Sequence, residues 1–491
     1  MHLIQRLSML LSYGVKLIWL FYLIKEGSDF RVNECLTNQT GKRRNKNMLL
    51  NDMTIKQSLK KNLLKGGVAA VILGSLFPSI SVAEANAPDI NAEASMTVDF
   101  ATGQILQADN IDQPMGIASM TKMIVEYIVF EELEAGNLAW DTEISISDYA
   151  YRISQNYNLS NVPLRSDETY SLQELYEAMT FYSANGATIA IAEHIAGSEP
   201  AFVDRMRETI EGFGIEDATL YNATGLDREY LGENVYPSSS NGDENRMSAR
   251  SIAKITNRIV EDYPEILEVA SIPTKTFREE TVDAIDMVNW NRMLEGLSHY
   301  RPGVDGLKTG TTDIAGYTFT GTALEDGRRL LTVVMGVDGD INERFVETDK
   351  QLDYGFNEFE LQNLLEPWEQ VYEYSSLVVT NGKEKIVNYA PSETELELYV
   401  HRDDNIEEGV TYTIEWDENI VTDEGTIEAP FDEGMQIGQL VVNYSGDEGY
   451  LNEEERNVVP IVTTEGVEKA NFIAVAWNWI SGVFDSITSR F

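Results

Sequence analysis

The sequence predicts a multidomain α/β protein. A first domain combines an antiparallel sheet with flanking helices, a small all-β domain follows, and a C-terminal amphipathic helix ends the chain. Three observations predict this. Strand-like runs stand at both ends of residues 94–360 with helix-like periodicity between them, so the sheet is closed by the two ends of the region and covered by helices. Residues 365–460 change to short alternating runs separated by Gly, Asp and Glu. Residues 467–491 carry apolar residues at helical spacing. A length of 491 residues leaves room for two to four domains, each with its own core.

In chain order, M-T-V-D-F and Q-I-L-Q-A around A-T-G (96–108) read as a hairpin. Residues 118–136 repeat an apolar face at helical spacing. Residues 171–196 read as two helices meeting near Ser183, and 201–213 and 248–260 as two more. The run Y-P-S-S-S-N-G-D-E-N (236–245) is a polar surface loop. Residues 316–324 and 329–337 are adjacent antiparallel strands. In the β domain, L-E-L-Y-V, Y-T-I-E-W and L-V-V-N-Y alternate as half-buried strands do. Phe472, Ile473, Ala476, Trp477, Ile480, Val483, Phe484 and Ile487 form the apolar stripe of the last helix, and only Asp485 and Arg490 carry charge after Lys469. Such a helix is expected to lie on a membrane surface by apolar burial rather than by charge; a core helix packed on the β domain is the alternative.

Net charge is -44, and it is unevenly spread. Residues 1–87 hold 12 Lys+Arg and 5 Asp+Glu, leaving 25 basic and 76 acidic residues, net -51, in residues 88–491. That surface repels nucleic acid phosphates and anionic lipid, and its acidity resembles that of proteins hydrated at high salt. Residues 53–87 have the form of a secretory signal: Lys56, Lys60, Lys61 and Lys65, an uncharged stretch from Gly66 to Ala83, then A-E-A ending at Ala85 or A-N-A ending at Ala87. Residues 1–52 are an unusual leader; Met53 is the expected natural start, with a membrane-embedded extension as the alternative. The single cysteine, Cys35, lies in that leader, so the exported part has no disulfide and no thiolate nucleophile. His194, His299 and His401 are widely separated, which disfavours a histidine metal centre.

The chemistry centres on Ser119-Met120-Thr121-Lys122 at the start of a helix. Positions i and i+3 share a helix face, so the lysine can reach the serine hydroxyl. Serine needs a neighbour to take its proton, and a buried lysine of lowered pKa can do so. S-x-x-K alone is a weak signal. Ser183-Ala184-Asn185 follows, where Ser183 can shuttle a proton and Asn185 can hold Lys122 or a substrate carbonyl. Lys308-Thr309-Gly310 comes after it: a charge and a hydroxyl for a carboxylate, and a glycine that admits an extended peptide at a strand edge. The three elements in that order form a far more specific signature.

With I-A-S-M-T-K (117–122), F-Y-S-A-N-G-A (181–187), Y-N-A-T-G-L (221–226), M-S-A-R (247–250) and V-D-G-L-K-T-G-T-T (304–312), the chain resembles the low-molecular-weight penicillin-binding proteins, the serine-type D-alanyl-D-alanine carboxypeptidases. The resemblance spans residues 94–360 and extends through A-P-F-D-E-G-M-Q-I-G (429–438) in the β domain. It implies a β-lactamase/transpeptidase-like fold and removal of the terminal D-alanine from peptidoglycan stem pentapeptides. It also implies acylation by β-lactams and no metal or organic cofactor. By motif, Ser119 is the acylated nucleophile and Lys122 its general base. Ser183 and Asn185 form the second motif, and Lys308, Thr309 and Gly310 the third. Backbone N–H groups of Ser119 and Thr311 form the oxyanion hole, and Arg344 helps orient the substrate carboxylate. Ala184 stands where a glycine is common, and its methyl is expected to narrow the groove. The location implied is the outer face of the cell membrane or the cell wall. A class A β-lactamase would carry E-x-x-L-N between the second and third motifs; here the match is Glu448–Asn452, far past Lys308. A D,D-transpeptidase and a non-catalytic cell-wall binding protein are the other readings.

Overall fold

The computed structural model describes residues 87–365, 376–393, 395–452 and 457–471. The expected leader and signal, and all but the first residues of the C-terminal helix, lie outside the described residues.

Five strands make the first sheet: β1 (Ala94–Asp99), β2 (Ile105–Asp109), β3 (Val304–Thr312), β4 (Gly316–Glu325) and β5 (Arg328–Val337). The order is β2-β1-β5-β4-β3, every pair antiparallel. The two ends of the region therefore meet as expected, β1 beside β5, and β3 is left as an edge. Strand alternation sends Leu331, Val333 and Met335 to one face and Leu330 and Val334 to the other. The first set joins the large helical core with α1 (Lys122–Glu134), α2 (Leu172–Thr180), α3 (Asn185–Ala196), α4 (Glu199–Glu211) and α5 (Ala249–Asp262). The second packs on Phe345 and Leu352 of α6 (Glu343–Asn357).

Local chemistry sets the helix ends. Ser171 accepts from the Glu174 backbone N–H while the Glu174 carboxylate accepts from Ser171 N–H, a reciprocal cap that starts α2. Ser198 and Ser248 cap α4 and α5 in the simpler way. The segment expected as one helix from Ala118 begins instead as a 3₁₀ turn, Ala118–Thr121.

The second region contains β6 (Phe359–Asn363), β7 (Ser376–Thr380), β8 (Ile386–Pro391), β9 (Glu397–His401), β10 (Val410–Trp416), β11 (Thr426–Glu428), β12 (Gln436–Tyr444) and β13 (Val458–Thr463). Six of them form a sheet in the order β10-β12-β13-β8-β7-β11, and β6 pairs with β9. Its core is separate, built on Leu377, Val387, Leu440 and Ile461 among others. It docks on the β1–β2 turn. Gln104 pairs with the Tyr399 backbone at 2.7 and 2.9 Å, and Leu451 N–H donates to Gly103 O at 2.8 Å. The E-x-x-L-N match thus sits in this contact. Val467, expected to open the terminal helix, is instead buried and exchanges both backbone hydrogen bonds with Phe431. Pairing with the β domain satisfies its backbone without a helix. Among the described residues no helix is long and apolar enough to cross a membrane.

Candidate active site

The 3₁₀ turn that carries Ser119 lies against the edge strand β3. Two glycines make that approach possible. A Cβ on Gly310 would stand 2.4 Å from Thr318 Oγ1 and 2.8 Å from Ile117 O. Its missing side chain therefore makes room for the protein's own turn, not for a peptide as the sequence suggested. Gly225 has φ +77°, and a Cβ there would fall 1.8 Å from Ala118 O. Ala118 (φ 44°) and Ser183 (φ 60°) take the left-handed region without being glycine. Each such residue costs on the order of 1–2 kcal/mol.

Ser119 is half-buried, whereas Lys122, expected on a solvated helix if it had no role, is wholly buried. Lys122 Nζ lies 2.8 Å from Ser119 Oγ, 2.9 Å from Asn185 Oδ1 and 2.7 Å from Thr224 O. Two of these partners can only accept. A neutral amine has two N–H groups for them and one lone pair, which faces the serine hydroxyl. After taking a proton, the ammonium still has three acceptors. Burial holds Lys122 well below the ordinary lysine range, and the nearby Lys308 charge lowers it further, against the pull of Glu126 and Glu199.

Asn185 is oriented by donating its Nδ2 to Ser160 O at 3.0 Å. Lys308 Nζ donates to Ser183 Oγ at 3.0 Å and to Thr309 O at 3.3 Å. The second and third motifs therefore meet through the Lys308–Ser183 bond. Burial lowers Lys308, the Glu126 charge opposes this, and Arg344 adds to it. Thr309 is buried and Thr311 exposed at the end of the strand. Arg344 is 2% exposed, so it is no surface residue. Its Nη1 donates to Gly310 O (2.9 Å), Thr311 Oγ1 (3.0 Å) and Thr318 O (3.4 Å), and burial lowers it to about 10. It braces the end of β3 from beneath. Ala184 corrects a further expectation: its methyl is buried in the helical core, so it does not narrow a groove.

Sequence reasoning quoted Y-N-A-T-G-L without assigning a residue in it. Its contribution is the Thr224 carbonyl on Lys122. Asn222 Oδ1 folds that loop by accepting from Thr224 N, Thr224 Oγ1, Gly225 N and Leu226 N. Asn245 ties it to Thr121 Oγ1 (3.0 Å) and Asn222 O (2.8 Å). Glu199, raised to about 7 by burial, accepts from Ala223 N and Tyr149 OH. Paired Asn residues are a turn signal, but nothing in their spacing says which carbonyl they present.

A hydroxyl beside a buried amine, next to an open strand edge with a second buried lysine, is the arrangement of a serine enzyme that works by acyl transfer. Comparison with known proteins narrows this class. The sequence model of the D-alanyl-D-alanine carboxypeptidase family Peptidase_S11 matches residues 81–339. D-alanyl-D-alanine carboxypeptidase DacF of Bacillus subtilis is 28% identical over 78% of this chain and 87% of its own length. DacA of Haemophilus influenzae is 32% identical over 58% of this chain and 67% of its own length. The crystal structure of a peptidoglycan synthesis regulatory factor (PBP3) from Streptococcus pneumoniae superposes with a TM-score of 0.57 at 36% identity, covering 78% of this chain and 100% of that one. Penicillin binding protein 5 of Haemophilus influenzae gives 0.55 at 26%, covering 78% and 99%. The chain belongs to the family of serine-type D-alanyl-D-alanine carboxypeptidases.

Proposed function

We propose that this carboxypeptidase works through an acyl-enzyme on Ser119, with Lys122 as general base. The observation that carries the reading is the 2.8 Å contact between Ser119 Oγ and an amine that is wholly buried. Lys122 takes the Ser119 proton, and Ser119 Oγ attacks the carbonyl of the penultimate D-alanine. Backbone N–H groups of Ser119 and Thr311 hold the oxyanion. The C–N bond breaks and the terminal D-alanine leaves as the amine, receiving the proton through Lys122 and Ser183. Water then attacks the ester, and the same groups return the proton to Ser119. Lys308, Thr309 and Thr311, braced by Arg344, receive the substrate's terminal carboxylate. The peptide lies along the free edge of β3, next to Gly310.

The substrate is a peptidoglycan stem peptide ending in D-Ala-D-Ala, and β-lactams acylate the same serine. The enzyme acts outside the cytoplasm after removal of the signal at 53–87, with residues 94–360 as the catalytic domain and 365–460 as a β domain. The apolar stripe from Phe472 to Ile487 holds it at the outer membrane face; deletion of residues 472–491 should release the protein from sedimented membranes.

Two assays test the site. Fluorescent penicillin labels the wild type and not Ser119→Ala; labelling that survives the substitution sinks the nucleophile assignment. Release of D-alanine from diacetyl-Lys-D-Ala-D-Ala, measured across salt concentration, tests hydrolysis itself.

A further inference from the structure

Glu126 stands one helical turn beyond Lys122 on α1, on the same side of the helix. It is 0% exposed, and neither carboxyl oxygen completes a well-formed hydrogen bond among the described residues, although the Thr180 hydroxyl lies near enough to favour its charge. Tyr176 OH and Thr180 Oγ1 of α2 are buried beside it, with the Thr180 hydroxyl shared between the carboxyl and the phenol. A buried carboxyl held this way is costly, and general packing gives no reason to keep it. What it does face is two buried lysines, Lys122 and Lys308, whose hydrogen bonds all end on neutral oxygens.

The charged and titratable groups around this cluster come from every side. Lys122 shares α1, Lys308 comes from β3, Tyr176 from α2, Glu199 from α4 and Arg344 from α6. Glu199 acts on Lys122, and its own oxygens already accept from Ala223 N and Tyr149 OH. Arg344 disfavours charge on Lys308. Glu126 is the carboxyl that acts on both lysines. One buried negative charge balances one buried positive charge. Burial and the neighbouring Lys308 both disfavour charge on Lys122, which is the lysine left neutral.

We propose that Glu126 is a positioning residue for the reaction: as the counter-charge shared by two buried lysines, it keeps Lys308 cationic for the substrate carboxylate while Lys122 remains free to accept the serine proton. Glu126 itself exchanges no proton during the cycle. The inference rests on the roles given above to Ser119, Lys122 and Lys308.

The test is Glu126→Gln in the full-length exported protein. D-alanine release and penicillin acylation are followed from about pH 5 to 10. Without the carboxylate, Lys308 loses its proton at lower pH. The basic limb of kcat/KM should move acidward by about one unit, and KM at pH 8 should rise about five-fold. Lowering the pH should restore KM. The acidic limb, set by Lys122, should move the same way by less. Glu126→Asp keeps the charge and should keep the wild-type limbs. Unmoved limbs in Glu126→Gln, with only the melting temperature changed, would overturn the proposal and leave a structural role. Should that variant not fold, carboxyl ¹³C NMR of the wild type decides: Glu126 is expected to be ionised at pH 8, and a protonated carboxyl there overturns the idea. Surviving labelling in Ser119→Ala would instead strike the underlying site reading, so the two failures are told apart.

Discussion

In β4 and β5 six consecutive residues are buried, whereas in β7 and β10 the chain alternates between covered and open positions. The first sheet is packed on both faces, by the helical core on one side and α6 on the other. The β domain covers one face of its strands and leaves much of the other to solvent. The difference teaches where this molecule can hold unusual chemistry. Lys122, Lys308, Glu126 and Arg344 are all buried, and all belong to the region with the doubly covered sheet. Desolvation there is deep enough to move a lysine far from its ordinary range. A one-sided sheet offers no such interior.

Substitutions can sharpen that contrast, beginning with the largest effect. Lys122→Ala should lower penicillin acylation by about 10³-fold or more while the protein still folds, read by stopped-flow labelling. In the wild type, acylation should fall as pH drops through the lowered Lys122 value, because the protonated amine can no longer accept the serine proton. A rate that stays flat down to pH 4 would contradict Lys122 as base. Gly225→Ala forces a methyl against Ala118 O at positive φ, and should destabilise the catalytic region by about 3 kcal/mol or more with activity lost, seen by calorimetry. Leu440→Ala in the β domain core should cost about 2–5 kcal/mol yet leave kcat unchanged below the melting range. If kcat fell as well, the β domain would be shaping the site. Val378→Thr, on the open face of β7, should change stability by no more than about 0.5 kcal/mol.

The same contrast explains what could be read from sequence. Alternation in Y-T-I-E-W and L-V-V-N-Y identified β10 and β12 because one side of each is less covered. The 316–324 and 329–337 strands were legible from their length and pairing, although their buried runs carry no period of two. Ser119, Lys122, Ser183, Asn185 and Lys308 were legible as three short motifs in a fixed order, each of them a local pattern, although no one of them was specific alone. Arg344 was harder: a charged residue in a helix reads as exposed, and only the tertiary packing of α6 under β4 buries it. The 3₁₀ start at Ala118 was invisible, because it depends on the room that Gly225 and Gly310, distant in the chain, leave for the turn. Glu126 looked like one more acid in a protein rich in them. Val467 opened the range expected as the terminal helix, but its partner Phe431 lies far back in the sequence.

One of the three tethers on Lys122 is a main-chain carbonyl. Any residue at 224 would bring that oxygen, but the buried Thr224 hydroxyl also donates to Asn222 Oδ1 and accepts from Leu226 N, so the side chain helps to hold the loop that aims it. What inheritance must preserve is the bend that aims it, and that bend is written at Asn222, whose single oxygen gathers three backbone N–H groups. A survey of substitutions by penicillin labelling should then find Thr224→Ser tolerated, Thr224→Val costly and position 222 intolerant of change.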